Sequence, residues 1–142
     1  MSARRVYVTK RKGDEVQEQI YLTPPSIKES YSGWFDPCPH PRPSWDGLEV
    51  DWEAKTFCNP PWRKIRPWVE KASKERTKGK EVHLLLPASP NTAVFHDLIF
   101  PEATEVQWLR GDTPYHRVSD NKQVKLGSCI VKFAAAGCAG SK

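Results

Sequence analysis

The amino-acid sequence predicts an α/β fold in which helices flank a small sheet, and the order of its apolar patterns carries that prediction. An apolar run ends at residue 58, a helical pattern covers residues 65–76, and a second apolar run covers residues 82–86. A shorter helical pattern follows over residues 92–100, and strand patterns follow over residues 104–109 and 127–133. Because strands and helices alternate after residue 55, an α/β sheet is expected.

The helix over residues 65–76 has the clearest periodicity. Its apolar side chains fall on one face, namely Ile65, Trp68, Val69 and Ala72. Gly79 follows the last periodic residue and is expected to end the segment. The leucine-rich run over residues 82–86 is typical of a strand that is buried on both faces of a sheet.

The chain before residue 55 contains shorter elements. Thr23 is expected to cap a short helix over residues 26–31, which has proline near its start. Residues 33–36 then form a short apolar strand that ends in Asp36, where prolines terminate it. An acid at the carboxyl end of a strand in an open α/β sheet faces the ligand crevice. The alternative is that Asp36 only closes a local Asx turn.

Length and composition limit the organisation of the chain. Its 142 residues suit one domain, predicted over residues 19–133, with a basic N-terminal arm or hairpin over residues 1–18 and a disordered tail over residues 134–142. The formal charge of +5 suits a polyanionic partner, and the six tryptophans argue against disorder. No apolar run is long enough to span a membrane, and no signal peptide is recognised. The protein is therefore expected inside the cell, in the cytoplasm of a bacterial, archaeal or virus-infected cell.

Two further features concern metal and nucleic-acid binding. Cys38 and His40 lie close together, but the spacing of zinc ligands is absent, so no metal is expected. Residues 110–125 are expected to form a polar loop after a strand. The basic side chains and the one tyrosine of this loop suit contact with nucleic acid, and a solvated loop is the alternative.

The most informative stretch is Asn59-Pro60-Pro61-Trp62, which follows a predicted strand. The two prolines lock their own φ angles and remove two backbone donors, so the turn is stiff. It presents the Asn59 side-chain oxygen, the Pro60 carbonyl and the Trp62 ring. Two acceptors can hold both hydrogens of an exocyclic amino group while an aromatic ring stacks on the base that carries it. A proline-rich surface turn is the alternative, since the chain contains 13 prolines.

Several segments, in their order and spacing, resemble the phage-type DNA N6-adenine methyltransferase family over residues 20–133. The N-terminal half of the resemblance is carried by Thr23-Pro24-Pro25, Phe35-Asp36-Pro37-Cys38, Trp52 and Phe57-Cys58-Asn59-Pro60-Pro61-Trp62. Its C-terminal half is carried by Pro67-Trp68-Val69-Glu70-Lys71-Ala72, Leu84-Leu85-Leu86-Pro87-Ala88, Phe95-His96 and Leu109-Arg110-Gly111. The glycine-rich turn of larger methyltransferases is absent.

The resemblance implies a compact, reduced Rossmann-like methyltransferase sheet with flanking helices and the cofactor S-adenosylmethionine. The implied catalytic residues are Asn59, Pro60, Pro61 and Trp62. The implied cofactor-binding residues are Tyr21, Thr23, Pro24, Asp36, Pro37, Cys38 and Asn59, with Asp51 a further candidate for the cofactor ribose. The residues expected to contact nucleic acid are Arg63, Lys64, Arg110, Tyr115, Arg117 and Lys122.

The function that follows from this resemblance is methyl transfer from S-adenosylmethionine to adenine N6 in DNA. DNA is then the partner, and a homodimer is expected to assist recognition because so short a chain lacks a separate target-recognition domain. Two kinds of alternative remain open at this point. One is methylation of cytosine N4, of an RNA base or of a protein glutamine. The other is a catalytically silent module that binds nucleic acid.

Overall fold

A computed structural model describes residues 20–136, which form a mixed α/β fold around one curled, five-stranded sheet. The strands are β1 (Tyr21–Leu22), β2 (Lys55–Cys58), β3 (Glu81–Pro87), β4 (Glu105–Arg117) and β5 (Lys122–Phe133). The helices are α1 (Pro25–Ser30), α2 (Ile65–Arg76) and α3 (Phe100–Glu102), with a 3₁₀ turn at Trp62–Lys64 and a π-helical turn at Phe95–Ile99. The predicted arm over residues 1–18 and most of the predicted tail lie outside the described residues.

The order of strands across the sheet is β1-β4-β5-β3-β2. Strands β2 and β3 are parallel and are joined by α2, which is the crossover that a parallel pair requires. The other three pairings, β1 with β4, β4 with β5 and β5 with β3, are antiparallel. The predicted α/β fold is therefore confirmed, and this small sheet is compatible with a compact Rossmann-like arrangement.

Helix α2 has the bounds that the periodicity predicts, Ile65–Arg76. Pro67 is tolerated because it lies in the first turn of the helix, where a backbone N–H would have no acceptor within the helix. Trp68, Val69 and Ala72 are buried against the sheet, and Gly79 adopts a φ of 90° just past the helix end. Burying each large apolar side chain of this face contributes roughly 1.5–3 kcal/mol, which holds the helix against β3 and β5.

The predicted polar loop over residues 110–125 is wrong, because β4 and β5 run through most of it as a long hairpin. The register between the two strands shifts between Trp108 and Asp112, and Gly111 takes a φ of 69° inside this bulge. The turn residues of the hairpin are 118–121. The outward side chains of this extension are polar, so the sequence lacks the apolar runs that mark a buried strand.

The short helix predicted over residues 92–100 is present but irregular. It contains the π-helical turn Phe95–Ile99 and continues into α3. Pro101 lacks the N–H that a regular helix would donate to the carbonyl four residues earlier, which favours the wider turn. Phe95 and Ile99 are buried in the main core, so burial of these two side chains holds the segment in place.

A second apolar layer covers the face of the sheet opposite α2. Phe57, Leu85, Tyr115 and Ile130 are buried there, and Tyr31 packs against them. Because successive strand residues point to opposite faces, Phe57 faces this layer while Cys58 faces the main core. Phe57 and Tyr31 of this layer also line the candidate site. No helix of the described residues is long and apolar enough to cross a membrane.

Candidate functional site

A cavity of about 990 Å³ opens beside the carboxyl end of β2, at the upper end of the ~300–1,000 Å³ that small-molecule sites occupy. Its walls come from β1, α1, the segment after α1 and the turn that follows β2. The structure brings together in this wall seven of the predicted site residues: Tyr21, Thr23, Asp36, Cys38, Asn59, Pro60 and Pro61. Pro24 and Pro37 are buried and do not line the cavity.

The Asn59 side chain is held by the segment that contains β1. Its Nδ2 donates one hydrogen bond to the Tyr21 carbonyl oxygen at 2.7 Å and another to Thr23 Oγ1 at 3.1 Å. A carbonyl oxygen can only accept, so the nitrogen of the amide must be the atom that faces Tyr21. Both amide hydrogens are therefore used within the protein.

Two acceptors beside the cavity have no protein partner among the described residues. Asn59 Oδ1 accepts no hydrogen bond from the described residues. Among these residues, the one side-chain polar atom that is both buried and without a partner is Arg76 Nε. Asn59 Oδ1 is therefore not buried, and a ligand can reach it. The Pro60 carbonyl accepts no backbone hydrogen bond within the described residues, whereas the Pro61 carbonyl accepts one from Lys64 N at 3.0 Å. Two unpaired oxygens on adjacent residues can accept both hydrogens of one amino group.

The Trp62 ring is fixed on its inner side. Its Nε1 donates to the Leu85 carbonyl at 3.3 Å. Its ring centroid lies 5.6 Å from that of Tyr21 and 5.2 Å from that of Tyr115. The indole is half-buried by these contacts, so only its uncovered part can meet a ligand.

Asp36 combines the two roles that the sequence left open. Its Oδ1 accepts a hydrogen bond from the Cys38 N–H at 2.9 Å, which closes an Asx turn, and its side chain also lines the cavity. The residue is exposed overall, but neighbouring protein atoms desolvate the carboxylate. This desolvation raises the pKa of Asp36, against the opposing effects of the Cys38 N–H and Lys28. The carboxylate keeps free acceptor capacity toward the cavity.

A chain of hydrogen bonds that the sequence analysis did not anticipate reaches the cavity wall. The Tyr31 hydroxyl lies 2.7 Å from His83 Nδ1, and His83 Nε2 lies 3.1 Å from Glu81 Oε2. Burial raises the pKa of Tyr31 to about 12, and burial lowers the pKa of His83 although Glu81 opposes this. The Tyr31 ring stacks on Phe57 at 4.1 Å. The sequence contains one indication of these bonds, which is the polar residue His83 inside the leucine-rich strand β3.

The residues expected to contact nucleic acid divide into three groups. Four are exposed: Arg63, Lys64, Arg110 and Lys122. Arg117 is half-buried and forms a bidentate ion pair with Asp120, in which Nε donates to Oδ1 at 2.9 Å and Nη2 donates to Oδ2 at 2.6 Å. Tyr115 is only 1% exposed and bonds to Ser128 Oγ at 2.8 Å, so the structure does not support its predicted contact with nucleic acid. The reason is that β4 continues past Tyr115 and turns this side chain into the second apolar layer.

Two other candidates lie apart from the cavity. Asp51 is exposed on the outer surface, where its carboxylate pairs with Lys78 at 3.3 Å, so the structure does not support it as a ribose contact. Within residues 20–136, no three histidine, cysteine or acidic side chains are grouped in a way that could hold a metal ion. Among the described residues, Cys58 and Cys129 are buried free thiols.

Comparison with known proteins gives one family and one solved structure. A family model described as DNA N-6-adenine-methyltransferase (Dam) matches residues 42–131. No curated protein matches the sequence. A crystal structure from Pyrococcus horikoshii, described as a candidate RNA methyltransferase, has 18% sequence identity and a TM-score of 0.45. The match covers 63% of this chain and 47% of that protein, so the chain spans about half of its length.

The family match includes the Asn59-Pro60-Pro61-Trp62 turn, helix α2 and the central strands of the sheet. It covers more than half of the 142 residues. The structural likeness is too weak to carry an argument of its own. The chain belongs to the DNA N-6-adenine-methyltransferase (Dam) family.

Proposed function

We propose that this protein transfers the methyl group of S-adenosylmethionine to N6 of adenine in DNA, inside the cell. One observation carries the proposal: Asn59 Oδ1 and the Pro60 carbonyl are neighbouring oxygens without a partner among the described residues, and both lie beside a cavity of about 990 Å³. The family match supports methyl transfer and names adenine N6 in DNA as the family's target.

The donor set of the cavity fits the proposed cofactor. Tyr31, Trp34 and Phe57 supply aromatic surface suited to an adenine ring and to the positive charge of a sulfonium, while Asp36 supplies an acceptor for an amino or hydroxyl group. When bound there, S-adenosylmethionine supplies an electrophilic methyl group. The roles of Pro24 and Pro37 are then indirect, since these buried rings shape the segments that carry Thr23 and Asp36.

The chain's own contribution is to make the target amine a better nucleophile. The lone pair of an adenine amine is delocalised into the ring, which makes the nitrogen a weak nucleophile. Asn59 Oδ1 and the Pro60 carbonyl each accept one N–H of the amine, which returns electron density to the nitrogen. Because the two prolines and the bonds to Nδ2 set these acceptors in advance, the bonds form without reorganisation.

Binding of DNA is proposed to rest mainly on phosphate contacts. Arg63 and Lys64 follow directly after the Asn59-Pro60-Pro61-Trp62 turn and are exposed, and Arg110 and Lys122 are exposed on the β4–β5 hairpin. Adenine in a duplex must leave the base stack to reach the cavity. Trp62 does not line the cavity, so its open part can offer a stacking surface only at the edge of the turn that carries Pro60 and Pro61. We expect steep salt dependence, weak sequence discrimination and help from a homodimer.

Other planar amines remain competitors for the same acceptors. Cytosine N4, an amino group of an RNA base or a glutamine amide presents a similar pair of hydrogens. A catalytically silent module would keep the fold without taking up the cofactor. The family match favours adenine in DNA over these alternatives.

The test combines calorimetry with mass spectrometry of nucleosides. S-Adenosylmethionine should bind the purified protein, and incubation with duplex DNA should yield N6-methyladenine. RNA, an unmethylatable DNA of matched length and the Asn59→Ala variant serve as controls, and the variant should lose about a hundredfold or more in turnover. Methylated cytosine or methylated RNA as the main product would contradict the proposal, and so would failure to bind the cofactor.

A further inference from the structure

The orientation of the Asn59 amide depends on contacts rather than on its own torsions. The terminal torsion of asparagine is broad and roughly two-fold, so the side chain alone does not prefer the orientation that presents Oδ1. The two bonds from Nδ2, to the Tyr21 carbonyl and to Thr23 Oγ1, supply that preference. Rotating the amide by half a turn would place Oδ1 against the Tyr21 carbonyl oxygen, which is repulsive.

The short strand β1 is built to hold this amide. Its register pairs Tyr21 with Arg117 and Leu22 with His116, and the Val118 N–H bonds to the Ile20 carbonyl at 3.0 Å. Carbonyls alternate in direction along a strand, so the Tyr21 carbonyl points away from β4 and toward Asn59. Pro24 then restricts Thr23 to an extended conformation. The chain thus delivers one backbone acceptor and one hydroxyl to the same amide.

We propose that Thr23 is a positioning residue for methyl transfer, whose hydroxyl holds the Asn59 amide so that Oδ1 faces the target amine. This inference rests on the proposed function and differs from the cofactor contact that the family resemblance implies for Thr23. The hydroxyl accepts a hydrogen from Nδ2 at 3.1 Å, so it acts through Asn59 and not on the reacting atoms.

Loss of the hydroxyl leaves the Asn59 amide with one hydrogen-bond acceptor, the Tyr21 carbonyl, so the amide can rotate about that single bond. A displacement on the order of 1 Å in a reacting geometry can cost about a hundredfold in rate. Because Thr23 acts on the acceptor, the loss should appear in kcat. The affinity for S-adenosylmethionine should change little.

The experiment compares Thr23→Val, which keeps the shape and removes the hydroxyl, with Thr23→Ser, which keeps the hydroxyl. Thr56→Val is the matched control: Thr56 is a buried threonine of β2 whose hydroxyl bonds to the Glu53 carbonyl at 2.9 Å. Turnover on DNA is measured at saturating cofactor, cofactor affinity by calorimetry, and folding by thermal unfolding. In the ligand-free protein, NMR follows exchange of the Asn59 side-chain hydrogens with water.

The expected result is a fall in kcat of roughly ten- to a hundredfold for Thr23→Val, with cofactor affinity unchanged within about twofold. Thr23→Ser should restore most of the turnover, and Thr56→Val should lower only stability. Asn59 side-chain hydrogens should exchange faster in Thr23→Val than in the wild type or in Thr23→Ser.

Two results would overturn the inference. Weakened cofactor binding with unchanged kcat in Thr23→Val would make Thr23 a cofactor contact, and unchanged exchange of the Asn59 hydrogens would show that the hydroxyl is no anchor. Absence of any methyl transfer by the wild type would instead overturn the proposed function. The exchange measurement would still decide whether Thr23 anchors Asn59, since it needs neither cofactor nor DNA.

Discussion

Replacing Asn59 by aspartate tests the role of the two amide hydrogens, because the substitution keeps the shape of the side chain, removes both donors and adds a carboxylate charge. The carboxylate of Asn59→Asp would keep an acceptor for the target amine. It would also lose both donated bonds and place a charged oxygen against the Tyr21 carbonyl, which now lies 2.7 Å from Nδ2. An ionised carboxylate would therefore turn away from β1, and its other oxygen would leave the productive orientation.

The size of the effect follows from the bonds that are lost. Each intramolecular hydrogen bond contributes a net of about 0.5–1.5 kcal/mol, so two of them are worth about 1–3 kcal/mol of stability. If the same orientation is needed in the transition state, a loss of about 2.7 kcal/mol corresponds to roughly a hundredfold in turnover.

Protonation should partly reverse this loss. A neutral carboxyl group can donate its proton to the Tyr21 carbonyl and still present its other oxygen to the cavity. Hydrogen bonding to the neutral form raises the pKa of the introduced carboxyl group above its ordinary value. The activity of Asn59→Asp relative to the wild type should therefore rise as the pH is lowered.

The assay measures methyl transfer to DNA by mass spectrometry at several pH values, for the wild type, Asn59→Asp and Asn59→Ala. Dividing each variant's rate by the wild-type rate removes the pH dependence that they share. The ratio should rise toward low pH for Asn59→Asp and stay flat for Asn59→Ala, which has no group to protonate. Wild-type activity of Asn59→Asp at neutral pH, or a ratio that does not change with pH, would refute the argument.

Three further predictions concern binding and stability. Trp62→Ala should weaken stacking on the target base by roughly 1–3 kcal/mol, and an unchanged 2-aminopurine fluorescence titration would contradict this. Because burial lowers the pKa of His83, the unfolded state binds more protons, so the free energy of unfolding should fall as the pH drops below about 6.5. Thermal unfolding between pH 7 and pH 5 checks this, and His83→Gln should flatten the dependence. Gly47→Ala should cost about 1–3 kcal/mol or more, since its Cβ would lie 1.8 Å from the Pro37 carbonyl oxygen. Gly127→Ala, whose Cβ would meet only ordinary contacts at 3.9 Å and beyond, is the control in the same unfolding assay.

The elements that the sequence predicts well are those whose burial leaves a periodic pattern. Helix α2 and strand β3 place most of their apolar residues in the main core, so their positions could be read from spacing alone. The β4–β5 hairpin could not be predicted from the sequence, because its extension beyond Trp108 is largely exposed. This extension also contains Gly111 and Pro114, and both residue types are common in loops. For the same reason, the sequence predicts an exposed Tyr115.

In the candidate site, too, the sequence predicts the local features and not the contacts between distant residues. The Asn59-Pro60-Pro61-Trp62 turn is local, so its stiffness and its acceptors could be inferred from the residues themselves. The partners of Asn59 lie 36 and 38 positions earlier in the chain, and no local pattern records such a contact. The Tyr31–His83 bond joins residues 52 positions apart, so it too required the fold.

The most direct test of the central claim is a crystal structure of the protein with S-adenosylhomocysteine and DNA that carries a target adenine. We predict that the adenine N6 lies about 2.9 Å from both Asn59 Oδ1 and the Pro60 carbonyl oxygen, with Nδ2 still bonded to Tyr21 and Thr23. An adenine whose amino group lies beyond hydrogen-bond reach of both oxygens would contradict the account.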